Sequence, residues 1–314
     1  MGLFADGPIR FAPVARRGAI YFGSDDGHVY CVDIASGKLV WKFNAAPTGR
    51  LVVGNERLIS VWPIRGGPVV GGDKLYFTAG VWPFEGTSLY ALDLAAADGQ
   101  LPPHTVTQLD NVSPQGYLVY NQQRLYIPGG RAKATCIDIR SGKIVSLNYN
   151  SSGKTDYHVA SAGPMLFHGD KVFHTQLARM MPCEGHRPVS DGHTFFAGNA
   201  TGVVAFNIDR RRTIKGKDRK GKDVEKDEVP QVWQVAVETG AAKTVPVEVY
   251  CQAGPRVFGC RGESVFAVQL GAGDAPPTVA WKAAIEGQPT SMVAADERLF
   301  VVTRGGRIYS FADV

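Results

Sequence analysis

Runs of β-branched and aromatic residues, three to six long and broken by Gly, Asp, Asn and Ser, fill this chain from end to end. Gly18 to Phe43, GAIYFGSDDGHVYCVDIASGKLVWKF, shows the pattern in its fullest form. Its apolar runs are separated by Ser24-Asp25-Asp26-Gly27 and by Ala35-Ser36-Gly37-Lys38, which is how consecutive antiparallel hairpins are written. Nearly every position of Ile20-Tyr21-Phe22 and Val29-Tyr30-Cys31-Val32 is apolar, so both faces of the predicted sheet must be covered. Trp41, in the outer strand, supplies bulk against a neighbouring unit.

The third-strand pattern recurs. Tyr30-Cys31-Val32-Asp33, Tyr90-Ala91-Leu92-Asp93, Thr135-Cys136-Ile137-Asp138, Val204-Ala205-Phe206-Asn207, Phe266-Ala267-Val268-Gln269 and Tyr309-Ser310-Phe311-Ala312 make six copies. Their last positions lie 60, 45, 69, 62 and 43 residues apart. The two shortest intervals match the roughly 40–45 residues of a four-stranded propeller blade, so the longer ones are expected to carry insertions. Second strands are predicted at 19–22, 74–77, 124–127, 193–196 and 298–301, and first strands at 64–70, 163–167 and 288–294. Trp41, Trp233 and Trp281 mark outer strands.

With the closing Trp and the Ser-Gly-Lys turn, this repeat resembles the quinoprotein-type, or PQQ-like, β-propeller family. The resemblance covers most of residues 8–314, and residues 43–80 are similar to a segment of large planctomycete secreted proteins. It implies an all-β propeller of four-stranded antiparallel blades, about six recognisable here, in a ring of six or as part of one of seven or eight. The expectation is one domain over 1–314. After Tyr309-Ser310-Phe311-Ala312 little chain is left for an outer strand, so either Met1–Pro8 completes the last blade or the ring has further blades.

Composition fits a folded, turn-rich chain: 314 residues, 44% hydrophobic, 37 Gly and 19 Pro. No apolar run approaches the roughly 18 residues of a membrane span, and MGLFADGPIR carries no signal-peptide pattern. The net charge of +5 is modest. Residues 209–228 hold nine basic and six acidic side chains with no aromatic among them, which predicts a solvated loop insertion and argues against nucleic acid as a partner. The five Cys show no CxxC, and Cys31 and Cys136 occupy equivalent strand positions, as small core residues do. Cys251 and Cys260 could pair across a hairpin only in an oxidising compartment.

Catalytic patterns are missing. There is no Gly-x-Ser-x-Gly, no His-Glu-x-x-His and no phosphate-cradling Gly loop, and Asp33, Asp93 and Asp138 read as turn formers. True quinoprotein dehydrogenases carry adjacent Cys residues over their cofactor and an acidic Ca²⁺ cluster, neither of which this chain has. The resemblance therefore leans toward the non-enzymatic members, which include the outer-membrane assembly scaffold lipoprotein of Gram-negative bacteria.

The expected function is a binding or scaffold propeller of a bacterial cell-envelope or secreted protein, periplasmic or extracellular. It would contact a protein or carbohydrate partner through rim loops, as a monomer or edge-paired dimer, with no cofactor. Trp62, Arg65, Trp82, Tyr157 and His158 are the candidate binding residues, since they depart from the repeat beside Pro and Gly or in loops. The competing expectation is an oxidoreductase with PQQ or a transition metal in the channel. A separate metal candidate is Cys183, His186 and His193, where a thiolate and two imidazoles could share a borderline cation.

Overall fold

The computed structural model describes residues 3–312 apart from 55, 97–98, 131, 148–157, 170, 177, 182–185, 218–220, 243 and 274. Strands dominate, and among the described residues they form seven blade-like sheets and two separate hairpins. The chain divides into two compact units, Met1–Ser161 and Ala162–Val314.

In the first unit, the strands Val14–Arg16, Ala19–Gly23, His28–Asp33 and Leu39–Asn44 pair in chain order as an antiparallel meander, the architecture read from Gly18–Phe43. The second sheet runs Ile64–Gly71, Lys74–Ala79, Ser88–Asp93 and His104–Gln108. Gly116–Tyr117 adds a parallel fifth strand beside Ile64–Gly71. Val119–Asn121, Arg124–Gly129, Ala132–Asp138 and Lys143–Val145 make the third. The long first interval is filled by a hairpin, Leu51–Gly54 with Arg57–Ser60, placed between the first two sheets.

The fourth sheet, Val159–Ala162, Met165–His168, Lys171–His174 and Arg179–Met181, begins at the boundary between the units. It occupies the 69-residue interval, and it is a whole sheet where an insertion is expected. The predicted first strand at 163–167 is corrected accordingly: Gly163 lies in a turn, and Met165–His168 is a second strand. The fifth sheet is His186–Ser190, Thr194–Gly198, Gly202–Asn207 and Gln231–Ala236. The charged insertion between its last two strands pairs as a hairpin, Arg212–Lys217 with Asp223–Glu228. There, opposite charges face each other at Arg212/Glu228, Lys215/Glu225 and Lys217/Asp223. Glu248–Ala253, Arg256–Arg261, Ser264–Gln269 and Thr278–Ala284 form the sixth sheet. The seventh has three strands, Pro289–Ala295, Arg298–Thr303 and Ile308–Ala312.

Within each unit, cores lie between neighbouring sheets. Trp41 of the first sheet sits in one cluster with Leu92 and Leu94 of the second, and Trp233 of the fifth packs with Val268 and Leu270 of the sixth. The Trp281 ring of the sixth meets Phe311 of the seventh with centroids 5.4 Å apart. A Trp buried this way removes roughly 150–250 Å² from water, about 4–6 kcal/mol of transfer free energy before ordering costs. Close approach requires glycine at Gly23, where a Cβ would lie 2.3 Å from the Ile64 side chain.

The repeat Asp residues close turns. Asp33 Oδ1 accepts from the Ser36 N–H at 2.8 Å and its hydroxyl at 2.6 Å, and Asp138 Oδ1 accepts from the same two groups of Ser141 at 2.9 and 3.0 Å. Cys251 and Cys260 lie on paired strands of the sixth sheet, opposite Phe258 and Glu248 respectively, and both pack into its core as thiols.

Candidate functional site

The turn Ser24–Gly27 ties together three segments that depart from the repeat. The Asp25 amide donates to the Pro8 carbonyl, the Ser60 amide to the Asp25 carbonyl, and the Ile64 amide to the Ser24 carbonyl. The Asp25 carboxylate is fully buried and holds two guanidinium groups: Arg10 Nε at 2.6 Å and Arg65 Nη2 at 3.0 Å, both on Oδ2. Arg65 Nε also lies 2.9 Å from Oδ1, an ionic contact out of line for a hydrogen bond. Burial pushes the Arg65 pKa down and the Asp25 charge opposes it. Arg65, a candidate binding residue, thus pairs with a buried carboxylate of the first sheet's turn.

Trp62 sits one step further along, buried in the core between the first two sheets. Its indole N–H donates to the Glu85 carbonyl at 2.8 Å, and the Arg50 guanidinium lies 5.5 Å from its ring centroid. Arg50 also pairs with the Glu85 carboxylate. The 3₁₀ turn Pro83–Glu85 that carries this acceptor ends at Gly86, whose φ of 88° suits glycine. Trp82, half-buried, packs its ring against the same core.

Around these anchors the surface is apolar. A cleft of about 220 Å³ is lined by Arg50, Leu51, Val52, Val61, Trp82, Phe84 and Glu85. Phe84 is 82% exposed, and on the outer face of the hairpin Val53 is 72%, Leu58 63% and Leu51 55% exposed. Val53 pairs directly with Leu58, so these two exposed side chains adjoin, while Leu51 and Phe84 line the cleft and Ile59 is buried. Leu51, Val53, Leu58 and Phe84 were missed in the sequence. The signal was the alternation of Leu51 and Val53 in an insertion whose strands had not been recognised.

Of the other expected binding residues, Tyr157 lies outside the described residues. His158 stands just before Val159–Ala162, half-buried and away from Trp62 and Trp82 in sequence. Cys183 of the metal candidate also lies outside the described residues, and His186 opens a strand of the fifth sheet. His193 is exposed, its Nδ1 2.7 Å from Asp209 Oδ2. Among the described residues no three His, Cys, Asp or Glu side chains come close enough to hold a metal ion.

A larger recess of about 480 Å³ opens beside Arg17, Tyr21, Cys31, Asp33 and Trp41. Burial pushes the Tyr21 hydroxyl up to about 12 and the Cys31 thiol up to about 11, so both stay protonated and neither is an activated nucleophile at neutral pH.

Comparison with known proteins places this architecture. A family model described as outer membrane protein assembly factor BamB matches residues 4–241. The chain belongs to this family. Its PQQ-like β-propeller character is thereby shown. Among solved structures, BamB from Moraxella catarrhalis superposes with a TM-score of 0.54 at 14% identity, over 93% of this chain and 81% of that one. The computationally designed Ika8 protein gives 0.53 at 11% identity, covering 98% of each chain. At these identities the likeness is one of fold. No curated protein matches the sequence.

Proposed function

We propose that this propeller is a non-catalytic scaffold of the bacterial cell envelope, periplasmic or secreted, that holds a protein partner against the surface formed by residues 51–60 and 82–86. The observation that carries this reading is the exposure of Leu51, Val53 and Leu58 on one hairpin and of Phe84 on the cleft that Leu51 also lines. Contiguous exposed apolar side chains rimmed by charges are what protein interfaces present. Trp62 and the Arg50–Glu85 pair fix the backbone beneath the patch, so little ordering accompanies binding. Membership of a family named for outer membrane protein assembly supports both the class of partner and the compartment.

The test is chemical crosslinking in the native host followed by purification of the protein and of a Val53→Asp/Phe84→Asp variant. The reading expects a defined partner with the native chain, its loss with the variant, and the same melting temperature for both. Identical crosslinked partners would overturn the assigned surface. A stoichiometric metal or a bound chromophore in the natively purified protein would overturn the non-catalytic part and favour the oxidoreductase alternative.

A further inference from the structure

Two guanidinium groups of the first unit share one carboxylate. Asp25 Oδ2 takes Arg10 Nε at 2.6 Å and Arg65 Nη2 at 3.0 Å, while Asp25 Oδ1 is buried and accepts no hydrogen bond among the described residues. The charges are uneven, since two cations meet one anion. Asp26, next in the chain, does not redress this, because its carboxylate accepts from the amides of Asp6 and His28 and from the Tyr30 hydroxyl. Burial pushes the Arg65 pKa down, Asp25 opposes the shift, and the charge of Arg10 pushes it down again.

Donors are left over as well. Among the described residues Arg10 Nη1, Arg10 Nη2 and Arg65 Nη1 have no acceptor. The Asp25 side chain is fully buried, whereas 30% of the Arg10 side chain and 20% of the Arg65 side chain reach solvent. The cluster is therefore closed at Asp25 and open beyond it. Arg10 is also held on both sides. Two residues before it, the Pro8 carbonyl accepts from the Asp25 amide. Two residues after it, the Ala12 amide donates to the Tyr117 hydroxyl at 2.9 Å. Phe11 meets the Tyr117 ring edge-on at 5.1 Å, and both rings lie against Gly67, two residues on from Arg65. The free N–H groups are thus held in position before any ligand arrives.

Such a frame suits a carboxylate, which is planar and presents two oxygens that two guanidinium edges can share. One more carboxylate brings the cluster to two cations and two anions. A small free acid gains little from two partly exposed guanidiniums in water, whereas a carboxylate carried by a protein already docked beside them arrives at high effective concentration. The surface assigned above to the partner adjoins this cluster. Ser60, the last residue of its hairpin, donates its amide to the Asp25 carbonyl at 2.8 Å, and Arg65 follows Trp62 by three residues.

We propose that Arg10 and Arg65 together bind an acidic side chain, Asp or Glu, of the protein partner, next to the apolar contact made by the hairpin. The inference rests on the reading above that the partner is a protein. Asp25 acts as a positioning residue, gathering both guanidiniums at one oxygen while staying out of solvent.

The probe is the capped peptide acetyl-AEAA-amide, titrated at low ionic strength into protein carrying ¹⁵N-arginine, with the guanidinium Nε–Hε signals followed by NMR. Saturable shifts of the Arg10 and Arg65 signals are expected, and acetyl-AQAA-amide should produce none. Arg10→Gln, which leaves Asp25 paired with Arg65, should abolish the shift at Arg65 while the circular dichroism spectrum stays native. Val53→Asp/Phe84→Asp should leave the titration unchanged. In the native host, Arg10→Glu should lower the yield of the crosslinked partner at least about tenfold. The inference is overturned by absence of saturation, by equal shifts with the Gln peptide, or by shifts that survive Arg10→Gln. Glutarate or inorganic phosphate saturating the same signals at far lower concentration than the peptide would also overturn it, as a site for a free anion. A partner crosslinked equally by the native chain and by Arg10→Glu overturns this inference alone. A successful titration with no partner crosslinked overturns the reading above, and with it the protein source of the carboxylate.

Discussion

The indole nitrogen of Trp62 donates to the backbone carbonyl of Glu85 across 2.8 Å. That bond joins a buried core residue to the turn that presents Phe84, so the stability of the first unit and the shape of its apolar cleft share an atom. Trp62→Phe keeps most of the packing and removes the bond. It should destabilise the protein by about 1 kcal/mol in urea denaturation. Trp62→Ala, which also leaves a cavity, should cost about 3–5 kcal/mol. Partner binding should fall in both, because the 83–86 turn loses its anchor.

Asp25 is the buried acceptor for two arginines. Asp25→Ala leaves Arg65 half-buried with no counter-charge and should destabilise the fold by about 3–5 kcal/mol. Adding Arg65→Met to that variant should recover part of the loss, since the stranded charge goes with it. A double-mutant cycle on denaturation midpoints measures the coupling. Additive effects would show that the pair contributes no more than its separate parts.

Acid stability should follow the repeat turns. Hydrogen bonds from Ser36 hold the Asp33 carboxyl below its ordinary value of 3.8, and the Ser141 amide and hydroxyl do the same for Asp138. A carboxyl with a depressed folded pKa contributes stability that is present above its unfolded value and lost as pH falls through the folded one. Urea midpoints should therefore decline below about pH 4, and Ser36→Ala/Ser141→Ala should flatten that decline.

Thiol chemistry should report burial. Burial pushes Cys31, Cys136 and Cys251 each up to about 11 from 9.0. In the native protein at about pH 8 these three should resist iodoacetamide, since the thiolate is the reactive form, and all should label in denaturant. Peptide mapping by mass spectrometry reads the outcome site by site. Because the folded-state values are raised, stability should also fall as pH climbs from about 9 toward 11.

The repeat grammar made the propeller legible, since Asp33, Gly37 and Trp41 each carry a local physical role that recurs with little change. The fourth sheet escaped because its third strand, Lys171-Val172-Phe173-His174, ends in His where the other copies have Asp, Asn, Gln or Ala, and its turns are too short to stand out. The charge-rich stretch 209–228 read as a loop because alternating charges lower its apolar periodicity. Cross-strand pairs such as Arg212 with Glu228 become visible only once the partner strand is known. Trp62 and Trp82 stand outside the repeat pattern in the sequence, but their environment was not legible there. The exposed Val53 and Phe84 come from two separate insertions, and no local pattern links them. The pairing of Arg65 was not legible because its acceptor, Asp25, lies forty residues earlier in an ordinary turn.

The hairpin that carries Leu51, Val53 and Leu58 leaves and re-enters the body at Arg50 and Val61, whose backbone groups bond at 3.1 Å. The ends meet, and the ladders of the first and second sheets do not run through the segment, whose ties to the body are Val52, Ile59 and the Ser60 amide on the Asp25 carbonyl. Shortening it, lengthening it or replacing it with another hairpin changes loop closure by only about 0.6 kcal/mol per doubling of length. The exposed positions Leu51, Val53 and Leu58 are therefore free to change in descendants of this chain, natural or engineered, so long as Val52, Ile59 and Ser60 keep their places.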